Sequence, residues 1–285
     1  MEPYWDLVKQ IIRESDIVLE ILDARAVALS RNEQLEKLLK EEGRPRIFVI
    51  NKADLATRGE LEIAADVLMK GRDISKEYVV YFSNKNRAAA RNLLGRIRQI
   101  FSKHGKRPDF EEVIKPLIKK PYREAKGNIV VGVVGYPNVG KSCVINALSF
   151  KKKAKVSSTA GTTHGIHWIS AGNSEIKLID TPGVIPLTYV EEANLGFIAA
   201  KNPERLKEPE ITAAKVIEHF QKEKKLANLE KLYNFKVDEE NLSNPYAILE
   251  QLSLAKKHLK KGGTADEKRT AIMLVKDWQI GKLKL

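Results

Sequence analysis

Residues 135–142 read GYPNVGKS, two glycines around four residues followed by Lys141 and Ser142, and no other stretch limits the possible folds so strongly. The octapeptide follows an apolar run, residues 129–134 (IVVGVV), and opens a segment of helical spacing. A glycine loop between a buried strand and a helix turns tightly enough for successive N–H groups to face one anion, and the helix N-terminus adds its positive end. In a chain of this length such a match arises by chance on the order of 1% of the time. The flanking strand and helix make a mere glycine-rich turn the poorer explanation. Gly135, Pro137, Asn138, Val139 and Gly140 would wrap the phosphates, with Cys143 just behind them. Lys141 would reach the β- and γ-oxygens as the catalytic cation, and Ser142 would ligate Mg²⁺.

The surroundings of this loop predict the fold class. Residues 17–22 (IVLEIL), 47–50 (IFVI) and 79–82 (VVYF) are short apolar runs of buried-strand type. Between them, residues 32–42 and 60–70 carry apolar side chains at helical spacing. That alternation predicts right-handed βαβ units and a doubly wound, mainly parallel α/β sheet. A second series starts at residue 129, continues through the helix from Lys141 and adds strands at 167–170 and 175–179, which turn residues at 172 and 173 could join as a hairpin. Residues 103–127 hold Pro108, Pro116 and Pro121 amid dense charge and read as a surface linker. After Pro186 the strand signal ends, and helices are predicted at 210–224, 245–260 and 265–278, the last two separated by Gly262 and Gly263. The expected division is therefore 1–186 for the α/β domain and 187–285 for an all-α domain.

Three further motifs carry chemistry. Asn51-Lys52-Ala53-Asp54 directly follows the run ending at Ile50. Asp54 can accept both hydrogens from guanine N1 and N2, Asn51 can bond the base edge or tie the loop together, and the Lys52 stem can cover the ring. Adenine presents the wrong donors to such a carboxylate, a mismatch worth a discrimination of roughly 10⁴ to 10⁵. Asp54 as a simple helix N-cap is the local alternative. Asp180-Thr-Pro-Gly183 emerges from a predicted strand and is weak alone, since a DxxG match is expected about once by chance. Downstream of the glycine loop, Asp180 would hold the Mg²⁺ shell and the Gly183 N–H would sense the γ-phosphate. Ser83, Asn84 and Lys85 follow the run ending at Phe82 and suit a second guanine loop. Thr163 is the preferred switch threonine for Mg²⁺, with Thr159 and Thr162 also open in that loop of small polar residues.

The motif order is unusual, because the guanine elements precede the phosphate loop. Joining old termini through a linker and opening new ones elsewhere leaves every strand in place. In this rotated order, and in Asp23-Ala24-Arg25, Ser30-Arg31-Asn32, residues 51–54, 135–142, 161–163 and 180–183, the chain resembles the circularly permuted GTPases of the YlqF/YawG type. That resemblance covers most of the chain and implies GTP hydrolysis, a role in large-ribosomal-subunit assembly and a C-terminal domain that contacts RNA. Asn138 also matches an asparagine that resembles a potassium ligand in related cation-activated GTPases, which implies K⁺ as a second cofactor. Departures are Val27 and Ala160, where proline is common, and the lack of any histidine before His104, which removes an N-terminal hydrolytic histidine. Val184 follows DxxG where many GTPases place the water-positioning glutamine, so slow intrinsic turnover is expected, and His164 is a nearby candidate to replace it.

Composition narrows the partners. The formal net charge is +13, and residues 85–127 hold thirteen Lys or Arg against four acids, whereas residues 187–285 hold eighteen against fifteen. A local basic excess attracts phosphate polymers, although a solvated helix face is an equally plain account. Lys151, Lys152, Lys153 and Lys155 lead into the proposed switch loop. One cysteine and no long apolar run agree with a cytoplasmic protein that has no membrane partner. The expected partners are GTP or GDP, ribosomal RNA and the precursor of the large subunit. The competing readings are a GTP-controlled switch for a protein or membrane partner and an ATP-dependent protein with an accidental NKAD.

Overall fold

The computed structural model describes residues 3–70, 78–105, 129–149, 167–171, 175–181 and 190–285. Strands β1 (Ile17–Asp23), β2 (Arg46–Asn51), β3 (Val79–Tyr81), β4 (Ile129–Val134), β5 (His167–Ala171) and β6 (Ile176–Asp180) form one sheet in the order β3-β2-β1-β4-β6-β5. Every neighbouring pair is parallel except β5 with β6. Strands β1 and β4 are buried at all positions, so their sequences are largely apolar instead of alternating, with Glu20 and Asp23 the charged exceptions on β1.

Both faces are covered, as a doubly wound sheet requires. Helices α1 (Pro3–Glu14) and α3 (Glu33–Glu41) bring Trp5, Val8, Ile12, Leu35 and Leu39 against Val18 and Val134. Helices α5 (Arg87–His104) and α6 (Lys141–Ser149) pack on the other face, against Ile17, Leu19, Ile21, Val131 and Val133. The alternation between Val18 and its neighbours Ile17 and Leu19 is the two-residue period of a strand. Helix α2 (Val27–Ser30) is a single turn after β1, and α4 (Arg58–Met69) follows β2. Local caps set these helix starts: Asn32 accepts from Leu35 N, and Thr57 with Glu60 forms a reciprocal capping box.

Helix α1 is absent from the sequence expectation, although Trp5, Val8, Ile11 and Ile12 carry its spacing. The expected linker also begins too early. Lys103 and His104 close α5, which ends at Gly105 with φ 73°, and residues 106–128 lie outside those described. The paired register of β5 and β6 bears out the two strands, while the turn at 172–174 lies outside the described residues.

Residues 190–285 contain α7 (Glu192–Phe197), α8 (Pro209–Lys222), α9 (Leu226–Tyr233), α10 (Pro245–Ala255) and α11 (Glu267–Gln279). Pro209 and Pro245 occupy first-turn positions, where their missing N–H costs nothing, and Asn244 and Asp266 cap α10 and α11. Gly262 and Gly263 adopt φ values of 103° and 84° in the turn that separates those two helices. Trp278 lies fully buried among Phe197, His219 and Phe220, and this helical core is continuous with the α5/α6 side of the sheet. The expected boundary at 186/187 lies outside the described residues.

Candidate nucleotide-binding site

The C-terminal ends of β1, β2, β4 and β6 lie side by side, because Asp23 pairs with Asn51 and Val133 with Asp180. This is the edge at which open α/β sheets bind ligands. The loop after β4 leads directly into α6 at Lys141, so the glycine motif sits between strand and helix as its sequence predicts. Gly135 and Gly140 have φ values of 147° and 101°. A Cβ on Gly140 would come within 2.1 Å of Asn51 Nδ2, and one on Gly135 within 2.6 Å of the Ile21 carbonyl. Both glycines are therefore required by close approach as well as by backbone conformation.

Asn51 Nδ2 donates to the Val139 carbonyl at 2.8 Å, joining the guanine loop to the phosphate loop. Asn51 thus ties the loops together, one of the two roles open to it. Lys141 is buried, and its Nζ donates to the carbonyls of Gly135 (3.2 Å) and Tyr136 (2.9 Å) on its own loop. Burial pulls its ammonium down to about 8, against the opposing pull of Asp180. A phosphate would supply the counter-charge that the buried ammonium lacks.

On the base side, Asp54 accepts from Ser83 Oγ at 2.7 Å and from Lys85 Nζ at 2.6 Å. Ser83 therefore contributes its hydroxyl to the base side of the site. Burial would raise the Asp54 carboxyl, but bonds from Lys85 and Ser83 hold it below the ordinary range. Asp54 is not an N-cap: it lies in the short 3₁₀ turn Ala53–Leu55, and Thr57 caps the following helix. Asn84, between Ser83 and Lys85, is exposed in the same turn. Lys52 adopts φ 59°, and its Nζ lies 2.7 Å from Asp23 Oδ2.

Asp23 and Arg25 are buried functional candidates for which the sequence offered only a family likeness. Arg25 Nε and Nη2 contact Asp23 at 3.0 and 2.8 Å. Burial by itself would raise the Asp23 carboxyl, but Arg25 and Lys52 outweigh it and hold the group well below the usual carboxylate range. Asn138, at φ 58°, donates its Nδ2 to the Ala199 carbonyl at 2.9 Å, a link to the helical region that no local pattern signals.

The metal assignments divide. Asp180 is buried at the end of β6, Thr181 Oγ1 anchors the next residue to the Val133 carbonyl, and Ser142 lies in the first turn of α6. A carboxylate and a hydroxyl are hard oxygen donors that suit Mg²⁺ alongside phosphate oxygens. Pro137, Val139 and Cys143 sit in or directly behind the loop, and Cys143 is a free thiol. Thr163, its alternatives Thr159 and Thr162, Gly183, Val184, His164 and the lysines at 151–155 lie outside the described residues. Among the described residues no helix is long and apolar enough to cross a membrane.

Fold and site together define a P-loop α/β nucleotide-binding protein whose chain order is circularly permuted. A family model described as a 50S ribosome-binding GTPase matches residues 130–252. An uncharacterized GTP-binding protein of Methanocaldococcus jannaschii is 35% identical over 99% of this chain and 66% of its own length. Nuclear/nucleolar GTPase 2 of rice is 30% identical over 98% of this chain, and large subunit GTPase 1 of Schizosaccharomyces pombe is 28% identical over 98%. The chain spans 47% and 49% of the latter two, about half of each relative. The GDP-bound structure of YlqF from Thermotoga maritima superposes with a TM-score of 0.57 at 20% identity, over 98% of this chain and 96% of that one. In fold and in motif order the chain is similar to the circularly permuted GTPases of the YlqF type.

Proposed function

We propose that this chain binds and hydrolyses GTP and works as a GTP-controlled assembly factor for the large ribosomal subunit. The observation that carries the nucleotide assignment is the 2.8 Å bond from Asn51 to Val139, which brings a guanine loop and a phosphate loop to one sheet edge. Asp54 would exchange its Ser83 and Lys85 partners for guanine N1 and N2, and Lys141 would leave its own loop carbonyls for the β- and γ-phosphates. Mg²⁺ would neutralise the phosphate charge, held by Ser142 and Asp180, with Thr163 and Gly183 answering the γ-phosphate. K⁺ beside Asn138 would add a second positive charge. The ribosomal half rests on the relatives' names and on the basic charge of residues 85–126, which suits RNA phosphates. A cytoplasmic location and the division 1–186/187–285 belong to the same proposal.

The test has three arms. Displacement of a fluorescent GDP from the purified chain should favour GTP and GDP over ATP by at least about 10³-fold, and equal displacement by ATP would remove the guanine assignment. Hydrolysis should be slow and faster in KCl than in NaCl; equal rates would remove the potassium role. Co-sedimentation with large subunits should be stronger with a non-hydrolysable GTP analogue than with GDP and weaken with salt. No binding with either nucleotide would remove the ribosomal role.

A further inference from the structure

Trp278, near the end of α11, lies at the junction of two contact chains that lead to opposite ends of the nucleotide site. The first runs to the base side. Arg25 Nη1 donates to the Trp278 carbonyl, and the guanidinium lies 4.3 Å from the centroid of the Trp278 ring. The same guanidinium grips Asp23, and Asp23 Oδ2 holds the ammonium of Lys52. The Asp23 and Arg25 side chains are both 1% exposed, so this pair is essentially dry. The second chain runs to the phosphate side. Trp278 Nε1 donates to the Phe197 carbonyl at 2.8 Å, and Gln279 Nε2 to the carbonyls of Gly196 and Lys201 at 2.8 and 3.0 Å. Between those anchors the Ala199 carbonyl receives the side chain of Asn138.

We propose that Asp23 and Arg25 are positioning residues that couple the end of α11 to the guanine loop, so that nucleotide binding and docking of the helical region strengthen each other. This rests on the guanine-nucleotide reading of the site. The chemistry demands arginine. One planar fork serves a carboxylate with two nitrogens and a carbonyl with the third, while its face stacks on the indole, and a lysine ammonium can do only part of this. A buried ion pair is stable only while all its partners are present, and losing one leaves a dry charge uncompensated. If α11 undocks, Arg25 loses its carbonyl and its ring together. Asp23 is then re-solvated, and Lys52 is no longer held in the left-handed conformation from which its stem would cover the base. Because coupling free energies are reciprocal, a nucleotide that fixes Lys52 must favour the docked helix by the same factor.

A purely structural role for the pair predicts something different: replacing Arg25 would lower thermal stability and leave the bound nucleotide without effect on Trp278. The two accounts separate in the full chain labelled with ¹⁵N, whose three tryptophans give three indole N–H resonances. GDP should shift the Trp278 resonance and leave that of Trp5, packed with α1 on the other face, in place. In Arg25→Lys the affinity for GDP should fall about tenfold, a typical coupling, and at saturating GDP the Trp278 shift should vanish. A wild-type Trp278 resonance unmoved by bound GDP would overturn the coupling, as would unchanged affinity in Arg25→Lys. Should Arg25→Lys not fold, Gln279→Ala decides instead, with an expected loss of about fivefold in GDP affinity, and unchanged affinity there overturns the proposal. Wild-type protein that binds no guanine nucleotide would overturn the reading of the site itself, a failure visible before any variant is made.

Discussion

Asn51 and Val139 stand 88 residues apart in the chain, yet the Asn51 amide donates to the Val139 carbonyl at 2.8 Å in a buried bond. The bond spans the two segments whose order is exchanged in this family, so it replaces chain connectivity in holding base-binding and phosphate-binding loops at a fixed separation. The adjoining Gly140 leaves room for the Asn51 side chain and for no Cβ of its own.

Asn51→Ala should therefore weaken GDP binding by at least about tenfold, because a buried carbonyl left without its donor costs about 1–3 kcal/mol. Gly140→Ala should be worse, combining a clash with a forbidden φ. Isothermal titration with GDP, alongside a thermal melt, checks both, and wild-type affinity in Asn51→Ala would show that the loops keep their spacing without the bond.

Asp54→Asn should exchange guanine preference for xanthine, since an amide donates where the carboxylate accepts. The amide keeps one oxygen, so only one of Ser83 and Lys85 retains its acceptor in this variant, and overall affinity should fall as well. Competition between GDP and XDP for the folded variant is the measurement, and continued preference for GDP would refute the role of Asp54.

Phosphate affinity should depend on pH through Lys141. Its ammonium titrates at about 8 when only loop carbonyls and Asp180 face it, and a bound phosphate must raise that value. Binding then takes up a proton. GDP affinity should decline as pH rises through about 8, by at most tenfold per unit. Lys141→Arg, permanently charged, should flatten the profile, and a profile of unchanged slope in that variant would assign the titration elsewhere.

Glu20 gives a stability prediction of opposite character. It is buried on β1 with Arg46 Nη1 at 3.0 Å from Oε2, while Oε1 has no hydrogen bond. Burial raises the carboxyl from 4.5 to about 7, with Arg46 opposing. The folded carboxyl binds its proton more tightly than the unfolded one, so stability is greatest below pH 4.5 and is lost as pH rises toward 7. Glu20→Gln should therefore be more stable than wild type above pH 7, by on the order of 1–2 kcal/mol, and the difference should disappear near pH 4.5. Chemical denaturation at pH 5 and pH 8 measures it, and a variant less stable than wild type at pH 8 would show that the pair with Arg46 outweighs the burial cost.

What the sequence alone determined is the part written in contiguous residues. Residues 129–134 with 135–142 specify strand, loop and helix within fourteen positions, and 47–54 specify a strand ending in a guanine loop, because periodicity, glycine freedom and helix-end polarity act over a few residues. The apolar character of the runs 17–22 and 129–134, interrupted only at Glu20, likewise announces strands covered on both faces. Tertiary structure alone decided which distant groups meet. That Asp23 is shared by Lys52 and Arg25, that Arg25 stacks on Trp278, and that Asn138 reaches Ala199 follow from the packing of α11 and the 196–201 segment against the site. Nothing local distinguishes those side chains from solvated ones, since an aspartate, an arginine or an asparagine acquires its partner only when folding removes water from around it and leaves one group within reach. The same reason hid Glu20, whose position inside an apolar run marked a strand but not the desolvated carboxyl that its burial creates.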